Sequence, residues 1–347
     1  MVIAKTTKPL GAGPYKYVDY TDGIVYFEAN ENYYLGAPKT KYIQFKEGSD
    51  ADKLDGIVAG TTDVSDPSFN VNKANQIKEY NGGELTGPVI STSLVDNLGY
   101  GYIGINANRV NIGGKDNKGS DESKALRKAL ATVLAVYREL SVSSYYGELG
   151  SVINYPISNT SWAAPQSTDD DYKVAFSVDP DGNDIFTEGM SAEDRYAAAL
   201  QASLAWFEKA GYTVTDGVVT AAPEGASMRY EVMVCGNQRN NDHPSYGVLA
   251  YAKSVLFQIG ISLDIRYITS IEDMLVYLYL GQADIWSASW NCIGDPNFSL
   301  HYRSDSSNNL FAVRDEELDG WLDEYDLLSV SEDQSAARET AIRIMNR

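Results

Sequence analysis

Three strand-like runs alternate with helical patterns between residues 230 and 290, and this alternation restricts the fold more than any other feature of the sequence. The runs are Tyr230–Cys235, Ile261–Tyr267 and Ala283–Trp290, and the helices between them open at Pro244 and Ser270. Apolar residues alternate in the second run and follow helical spacing in the helices. A β-α-β-α-β order predicts a parallel sheet with right-handed crossovers, which is an α/β fold.

The beginning of the chain has a different pattern. Residues 1–45 are strand-rich around the turn signal Thr21-Asp22-Gly23. Residues 46–90 are mixed, with a polar and glycine-rich middle, and strand patterns resume at Pro88–Ile90 and Tyr100–Ile105. The sequence therefore predicts a β-rich first segment before the α/β region.

Two amphipathic helices precede the α/β run. Ser120 caps a helix that we expect to continue to about Arg138, and Ser191 caps a helix that Gly211 ends. Between them, Asp179–Asn183 is typical of a hairpin turn, with strands expected over 174–178 and 185–187. A calcium loop is the alternative for this acidic turn, but its glycine and its twelfth residue do not fit an EF-hand.

The end of the sequence is helical. A helix is predicted near Glu316–Leu328, and a capping box from Ser331 to Gln334 predicts the start of another. This last helical pattern still continues at Arg347, and we therefore expect the chain to be part of a longer protein.

The formal net charge of -20 argues against nucleic-acid binding, because phosphate recognition needs clustered Lys and Arg. The acidic surface is expected to keep the protein soluble, and we expect a monomer that needs no cofactor. No run of about 18 apolar residues occurs, so no membrane-spanning helix is predicted. The start of the sequence also lacks a basic segment followed by an apolar stretch, which places any export signal outside it.

Polar segments follow two of the predicted strands, Gly236–His243 after the first and Asn291–Pro296 after the third. In open α/β sheets, ligands bind where the carboxyl ends of strands leave the sheet, and both segments should lie at one such edge. The candidate binding residues are Asn237, Gln238, Arg239, Trp290, Asn291, Cys292 and Ile293.

Each prominent residue of these segments has a second interpretation. The planar guanidinium of Arg239 matches a carboxylate, and the alternative is a surface ion pair with Asp242. We favour ligand binding because Arg239 is the only cation of an amide-rich segment. Trp290 could stack on a ligand or cap the core, and the core role is favoured. Cys235 and Cys292 could pair, and two ordinary thiols are favoured.

Known enzyme motifs do not fit this sequence. It contains no G-x-S-x-G elbow, no Walker A motif and no His-Glu-x-x-His. We therefore expect a binding protein that is not an enzyme. A hydrolase or a cell-surface interaction domain on the same α/β layers is the alternative.

An ordered set of motifs runs along the chain at Gly11–Lys16, Phe27–Tyr34, Leu126–Leu130, Ala199–Tyr212 and Gly281–Pro296. Together these motifs resemble extracellular solute-binding proteins of family 5, the oligopeptide- and dipeptide-binding components of ABC importers. Gly11–Lys16 and Phe27–Tyr34 are similar to the family's "G-T-G-P-Y … N-x-x-Y-W" signature, and Leu126–Leu130 is similar to its "V-R-x-A-L" helix. Ala199–Tyr212 resembles its "A-x-x-L-L-x-E-A-G-Y" helix, and Gly281–Pro296 resembles its "G-x-F-D … W … D-P" strand and loop.

The resemblance implies a fold and an organisation. It implies an α/β, periplasmic-binding-protein-like (type II) lobe with a mixed, mainly parallel sheet, together with a β-rich fragment of the other lobe. Residues 1–45 would be that fragment, 46–90 a crossover segment and 91–330 the ligand-binding lobe two. Residues 331–347 would be a truncated helix returning toward lobe one.

The resemblance also implies a function and partners. Such a protein captures peptides or peptide-like small solutes by hinge closure and delivers them to the membrane subunits of an ABC importer. It would be extracellular or periplasmic and lipid-anchored in full length. Arg239 matches the position at which dipeptide binders hold the ligand carboxylate. Peptide binders place an Asp three residues after the Trp to pair with the ligand's α-amine, and Ile293 stands there in this sequence.

Overall fold

The computed structural model describes residues 9–170, 172–236, 243–291, 296–331 and 333–347. The chain forms two compact units, Met1–Ser93 and Leu94–Arg347. Each unit has its own sheet and its own buried apolar cluster. Within the described ranges, no helix combines the length and the apolar character that a membrane crossing requires.

Unit one begins with an antiparallel sheet of three strands. The strands are β1 (Tyr15–Thr21), β2 (Ile24–Ala29) and β3 (Tyr42–Lys46). Asp22 and Gly23 join β1 to β2 with φ angles of 52° and 77°. Positive φ at both positions is typical of the two-residue I′ turn, which matches the twist of the paired strands. The predicted strand-rich beginning and its turn are confirmed.

Two helices complete unit one, α1 (Asp52–Val58) and α2 (Val71–Asn81). Their small core contains Leu54, Ile77 and Ile90. The strand predicted at Pro88–Ile90 is wrong. The side chain of Asn81 donates to the carbonyl of Ile90 at 2.8 Å and accepts its N–H at 3.0 Å, so both backbone groups are satisfied without a strand partner.

Unit two combines strands and helices along its whole length. Its strands are β4 (Tyr100–Ile105), β5 (Thr213–Thr215), β6 (Val218–Ala221), β7 (Arg229–Cys235), β8 (Ser262–Ile268) and β9 (Ile285–Trp290). Its α-helices are α3 (Asp121–Val136), α4 (Arg138–Tyr146), α5 (Ala192–Lys209), α6 (Pro244–Gln258), α7 (Ile271–Tyr279), α8 (Phe298–Tyr302), α9 (Glu316–Ser329) and α10 (Gln334–Asn346).

Four of these strands form one mixed sheet in the order β4-β9-β7-β8. Strand β7 runs parallel to β8 and to β9, and β4 runs antiparallel to β9. Residues from the sheet, such as Val232, Leu263 and Ile285, share one buried cluster with Leu126 of α3 and Leu249 of α6. The mixed, mainly parallel sheet is therefore confirmed, and apolar burial holds helices against it.

Three of the predicted helix caps form as the sequence indicates. The hydroxyls of Ser120, Ser191 and Ser270 each accept a backbone N–H three residues later, at distances of 3.1, 3.1 and 3.2 Å. Each bond satisfies one of the free N–H groups at a helix start.

The helix predicted from Ser120 to about Arg138 is confirmed as α3, which ends at Val136, and Tyr137 separates it from α4. Arg138 donates from Nε to the carbonyl of Ala135 at 3.2 Å and from Nη1 to the carbonyl of Ile153 at 2.9 Å. The guanidinium thus satisfies a carbonyl near the end of α3 and ties it to the chain after α4.

The capping box at Ser331 is wrong. Asp333 caps α10, because its Oδ1 accepts the N–H of Ala336 at 3.1 Å. The hydroxyl of Ser331 instead donates to the carbonyl of Leu328 at 2.7 Å and accepts the N–H of Asp333 at 3.1 Å.

The predicted hairpin around Asp179–Asn183 is reduced to its turn. Asp179 Oδ1 accepts the N–H groups of Asp181 and Asn183, both at 2.9 Å. Only one antiparallel bridge, between Val178 and Asp184, flanks this turn in the described part of the chain. The expected strands on its two sides are wrong, because the side-chain bonds of Asp179 form the turn without a ladder.

The last two helices, α9 and α10, pack together within unit two. Their buried side chains share a cluster with residues of the connection between α4 and α5, including Tyr155 and Ile157. The assignment of 1–45, 46–90, 91–330 and 331–347 to particular lobes stays a prediction.

Candidate functional site

Strands β7 and β9 end at the same edge of the sheet. Their parallel register pairs Val232 with Ile285, Met233 with Trp286 and Val234 with Ser287. The polar segments that follow Cys235 and Trp290 therefore leave the sheet side by side, as the sequence predicts. We call this region, defined by Cys235, Gly236, Trp290 and Asn291, the carboxyl edge.

Most of the predicted binding residues cannot be placed at this edge by contacts. Asn237, Gln238, Arg239, Cys292 and Ile293 lie outside the described residues. Trp290 and Asn291 are described, and both lie where β9 ends. The assignment of all seven residues to a ligand stays a prediction.

Helix α6 begins beside the carboxyl edge and is tied to β9. Pro244 is its first residue, and His243 caps it by accepting the N–H of Ser245 on Nδ1 at 3.2 Å. The hydroxyl of Ser287 on β9 donates to the hydroxyl of Ser245 at 2.6 Å. The positive end of a 15-residue helix thus points to this edge, which favours negatively charged ligand groups.

The pair of Ser245 and His243 also bears on the hydrolase alternative. A nucleophile needs a base that accepts its hydroxyl proton. Here His243 Nδ1 accepts a backbone N–H, and the Ser245 hydroxyl meets Ser287. The arrangement is a helix cap joined to a strand.

Gly236 allows the chain to turn closely past Tyr246. Its φ is 137°, and a Cβ at this position would lie 2.7 Å from the hydroxyl of Tyr246. Its N–H donates to the carbonyl of Ile268 at 2.8 Å, so the exit from β7 remains attached to β8. Only glycine fits both this backbone angle and this contact.

Trp290 packs against two rings. Its indole stacks on Tyr102 at 5.3 Å between ring centroids and on His301 at 4.0 Å, with interplanar angles of 16° and 27°. We call the stacked side chains of Trp290, Tyr102 and His301 the clamp. The favoured core role of Trp290 agrees with this packing, because the two rings cover part of the indole.

The clamp carries no charge at neutral pH. Burial lowers the pKa of His301, and burial raises the pKa of Tyr102 to about 12. In the described part of the chain, Trp290 Nε1 and His301 Nδ1 are buried without a hydrogen-bond partner. Sequence reasoning missed His301, although its status as one of only two histidines was a usable signal.

Reactive and metal-binding groups are sparse around the carboxyl edge. Desolvation of the sulfur, and then the carboxylate of Glu272, raise the pKa of the Cys235 thiol. A raised pKa keeps the thiol protonated and weakens it as a nucleophile. Among the described residues, no group of three or more His, Cys, Asp or Glu side chains could hold a metal ion. Pairing of Cys235 with Cys292 stays open, because Cys292 lies outside the described residues.

The sequence matches a family model described as "Bacterial extracellular solute-binding proteins, family 5 Middle" over residues 4–311. The oligopeptide-binding protein AppA of Bacillus subtilis is 30% identical over 164 residues, which are 47% of this chain and 26% of AppA. The aligned residues therefore cover about a quarter of the length of this curated relative.

Solved structures share the fold at low sequence identity. AppA from Bacillus subtilis in complex with a nonapeptide matches with a TM-score of 0.65 and 18% identity, covering 97% of this chain and 58% of that chain. NikA from Brucella suis in complex with Fe(III)-EDTA matches with a TM-score of 0.66 and 16% identity, covering 98% of this chain and 60% of that chain. These matches confirm the predicted α/β, periplasmic-binding-protein-like fold.

Proposed function

Because the chain belongs to the bacterial extracellular solute-binding proteins of family 5, we propose that the complete protein captures peptide-like solutes for an ABC importer. Its function is recognition by hinge closure over the solute, without bond breaking. The proposal concerns the whole protein, because the matched part of this chain covers only 58% of the solved AppA chain.

The geometry of the carboxyl edge is the observation that supports this proposal most directly. Two polar segments leave neighbouring parallel strands at one edge, and the N-terminus of α6 points to the same place. Backbone N–H groups and a helix dipole at such an edge suit a ligand with a carboxylate or carbonyl oxygens. A peptide carries both.

Within this site, Arg239 is proposed to bind the carboxylate of the solute. It belongs to the segment that follows β7, and a guanidinium holds a carboxylate through two parallel hydrogen bonds. Asn237, Gln238, Asn291, Cys292 and Ile293 are proposed to line the same site. Trp290 is proposed to support it through its clamp with Tyr102 and His301.

We propose the class of solute from the relatives and from one position at which this sequence differs from the peptide binders. AppA is named as an oligopeptide-binding protein, and its structure contains a nonapeptide. DppA from Helicobacter pylori, in complex with the peptide STSA, matches with a TM-score of 0.60 at 14% identity. An aspartate for the peptide α-amine is replaced here by Ile293, and an ammonium buried without a carboxylate is costly. We therefore propose a peptide-like solute whose amine is blocked, absent or exposed.

The partners follow from the same proposal. The protein delivers its solute to the membrane subunits of an ABC importer and acts as a monomer. It is located outside the cytoplasmic membrane and is held there by a lipid anchor in the complete protein.

The test is to identify the solutes that copurify with the complete protein by mass spectrometry, for the wild type and for Arg239→Ala. We expect the variant to lose bound solute, with affinity reduced about tenfold to a hundredfold, because a charge-assisted bond contributes about 1.5–3 kcal/mol. Arg229→Ala is the matched control, since Arg229 lies at the opposite end of β7 and pairs with Asp264.

Two results would contradict the proposal at different levels. Equal retention by the wild type and Arg239→Ala would remove Arg239 from the site. A metal chelate as the copurifying solute would replace the peptide-like class, as the complex of NikA with Fe(III)-EDTA illustrates for this fold.

A further inference from the structure

A cavity lies in unit two, within the connection between α4 and α5. Its volume is about 140 Å³, and its described lining residues all fall within 152–172. None of the residues that define the carboxyl edge lines it. The polar side chains of its lining are Asn154, Tyr155, Asn159, Gln166, Ser167 and Tyr172.

Hydrogen bonds hold one wall of the cavity in place. Asn154 Nδ2 donates to the hydroxyl of Tyr172 at 2.8 Å, and Asn154 Oδ1 accepts the N–H of Ala175 at 3.1 Å. Arg138 donates from Nη1 to the carbonyl of Ile153 at 2.9 Å and from Nη2 to Asn154 Oδ1 at 3.4 Å. The orientations of Asn154 and Tyr172 are therefore fixed before any ligand enters, which is usual for small-molecule sites.

The part of the lining around Gln166 is braced by the last helix. Gln166 donates from Nε2 to the carbonyl of Ala164 at 3.0 Å and from its backbone to Asp169 Oδ2 at 2.8 Å. Arg338 of α10 donates from Nη2 to both of these acceptors, at 3.3 Å to Ala164 and 2.6 Å to Asp169. The carboxylate of Asp169 is thus neutralised by an ion pair.

Three polar groups of the lining keep capacity for an occupant. The hydroxyl of Tyr172 accepts from Asn154, so its own hydrogen can still be donated. Asn159 and Gln166 use their amide nitrogens on Ser151 and Ala164, which leaves their carbonyl oxygens as acceptors. One donor and two acceptors match a primary carboxamide, whose oxygen accepts and whose NH₂ group donates.

The charge state of the described lining residues also favours an uncharged ligand such as a carboxamide. Among the described residues that line the cavity, none carries a charge. An ion that binds there would gain no charged partner among these residues, so the lining gives a charged ligand no advantage over an uncharged one. Ile157 and Ala164, which are 5% and 2% exposed, offer apolar contacts for a short alkyl chain.

We infer that this cavity binds the carboxamide of a small uncharged molecule or side chain, with Tyr172 donating to its oxygen and Asn159 and Gln166 accepting from its nitrogen. A cavity of about 150 Å³ in another protein holds benzene, so an occupant of similar size fits. The inference does not depend on the solute of the carboxyl edge, because it uses none of the residues assigned there.

Propionamide is the probe for this site, and propionate and propylammonium are its charged counterparts of similar size. Ligand-observed NMR titrations of the complete protein measure the affinity of each. We expect saturable binding of propionamide in the millimolar range, since so small a molecule has few contacts. Propionate and propylammonium are expected to bind at least tenfold more weakly.

Two variants assign the binding to the cavity. Tyr172→Phe removes the donor hydroxyl together with its bond from Asn154, and Asn159→Leu replaces an exposed side chain and so preserves folding. Each is expected to weaken propionamide binding about fivefold to tenfold, the loss of one hydrogen bond. Tyr251→Phe, on the exposed face of α6, is the control and should leave the affinity unchanged.

Three results would overturn the inference. These are equal or tighter binding of either charged probe, unchanged affinity in both variants, and competition between propionamide and the copurified solute of the carboxyl edge. The last result would assign the probe to the first site. Failure of Arg239→Ala to release solute would leave the titrations at this cavity unaffected, so the two proposals fail separately.

Discussion

The two main sheets of the molecule are stabilised in different ways. No residue of β1, β2 or β3 is buried, whereas β7 alone buries Tyr230, Val232, Met233 and Val234. The first sheet instead has cross-strand aromatic contacts, such as Phe27 with Phe45 at 5.5 Å between ring centroids. Local pairing and a two-residue turn form one sheet, and apolar burial against helices forms the other.

The largest expected difference between the sheets concerns truncation of an apolar side chain. Leu263 on β8 is 1% exposed, and Leu263→Ala should lower the free energy of unfolding of unit two by about 2–5 kcal/mol. Phe45→Ala on β3, where the ring is 65% exposed, should cost at most about 1 kcal/mol. Urea denaturation followed by tryptophan fluorescence measures the first effect, because every tryptophan lies in unit two.

Phe45→Ala should leave that fluorescence transition unchanged. If Phe45→Ala lowered the free energy of unfolding as much as Leu263→Ala does, burial of apolar side chains would not be what distinguishes the stability of the two sheets.

A smaller effect is expected from adding one methyl group to β4. Gly104→Ala would place a Cβ 2.4 Å from the indole of Trp286, and overpacking of this kind costs about 1–3 kcal/mol. Gly101→Ala in the same strand is the matched control, since its nearest atom would be 3.9 Å away. The same denaturation experiment compares them, and equal stabilities would mean that Trp286 can move without cost.

The smallest effect is expected in the turn of the first sheet. Gly23→Ala forces a side chain into a φ of 77°, which costs about 1 kcal/mol. Hydrogen exchange of the β1 and β2 amides should become about fivefold faster, because the free energy needed to open this pair of strands falls by about 1 kcal/mol. Gly48→Ala, outside the sheet and with open space at its Cβ, should leave the exchange rates unchanged. Equal rates in both variants would argue against the turn as a stabilising element.

The same contrast explains which parts of the structure could be predicted from the sequence. Local signals sufficed for the turn at Asp22 and Gly23 and for the caps at Ser120, Ser191 and Ser270, because the determining bonds lie within three residues. The sheet edge also followed from sequence, since alternation of strands and helices sets the direction of β7 and β9.

Contacts between distant segments, or between competing local partners, could not be predicted. The break at Tyr137 accompanies bonds from Arg138 to Ile153, 15 residues away, which no helical pattern contains. Ser331 and Asp333 are both good caps, and the structure chooses the second because the first bonds back to Leu328. At the candidate site, the role of Trp290 depends on Tyr102, 188 positions earlier, and on His301, neither of which its sequence neighbours indicate.

The stacking of His301 on Trp290 has a spectroscopic consequence. A proton held above the face of an indole lies in the shielding region of its ring current, so the imidazole signals of His301 should be displaced upfield. The chain has only two histidines, and the other one, His243, makes its ring contact with Tyr145 at the longer separation of 6.2 Å. One imidazole resonance therefore serves as a built-in reporter of whether the indole at the end of β9 stays in place when solute binds.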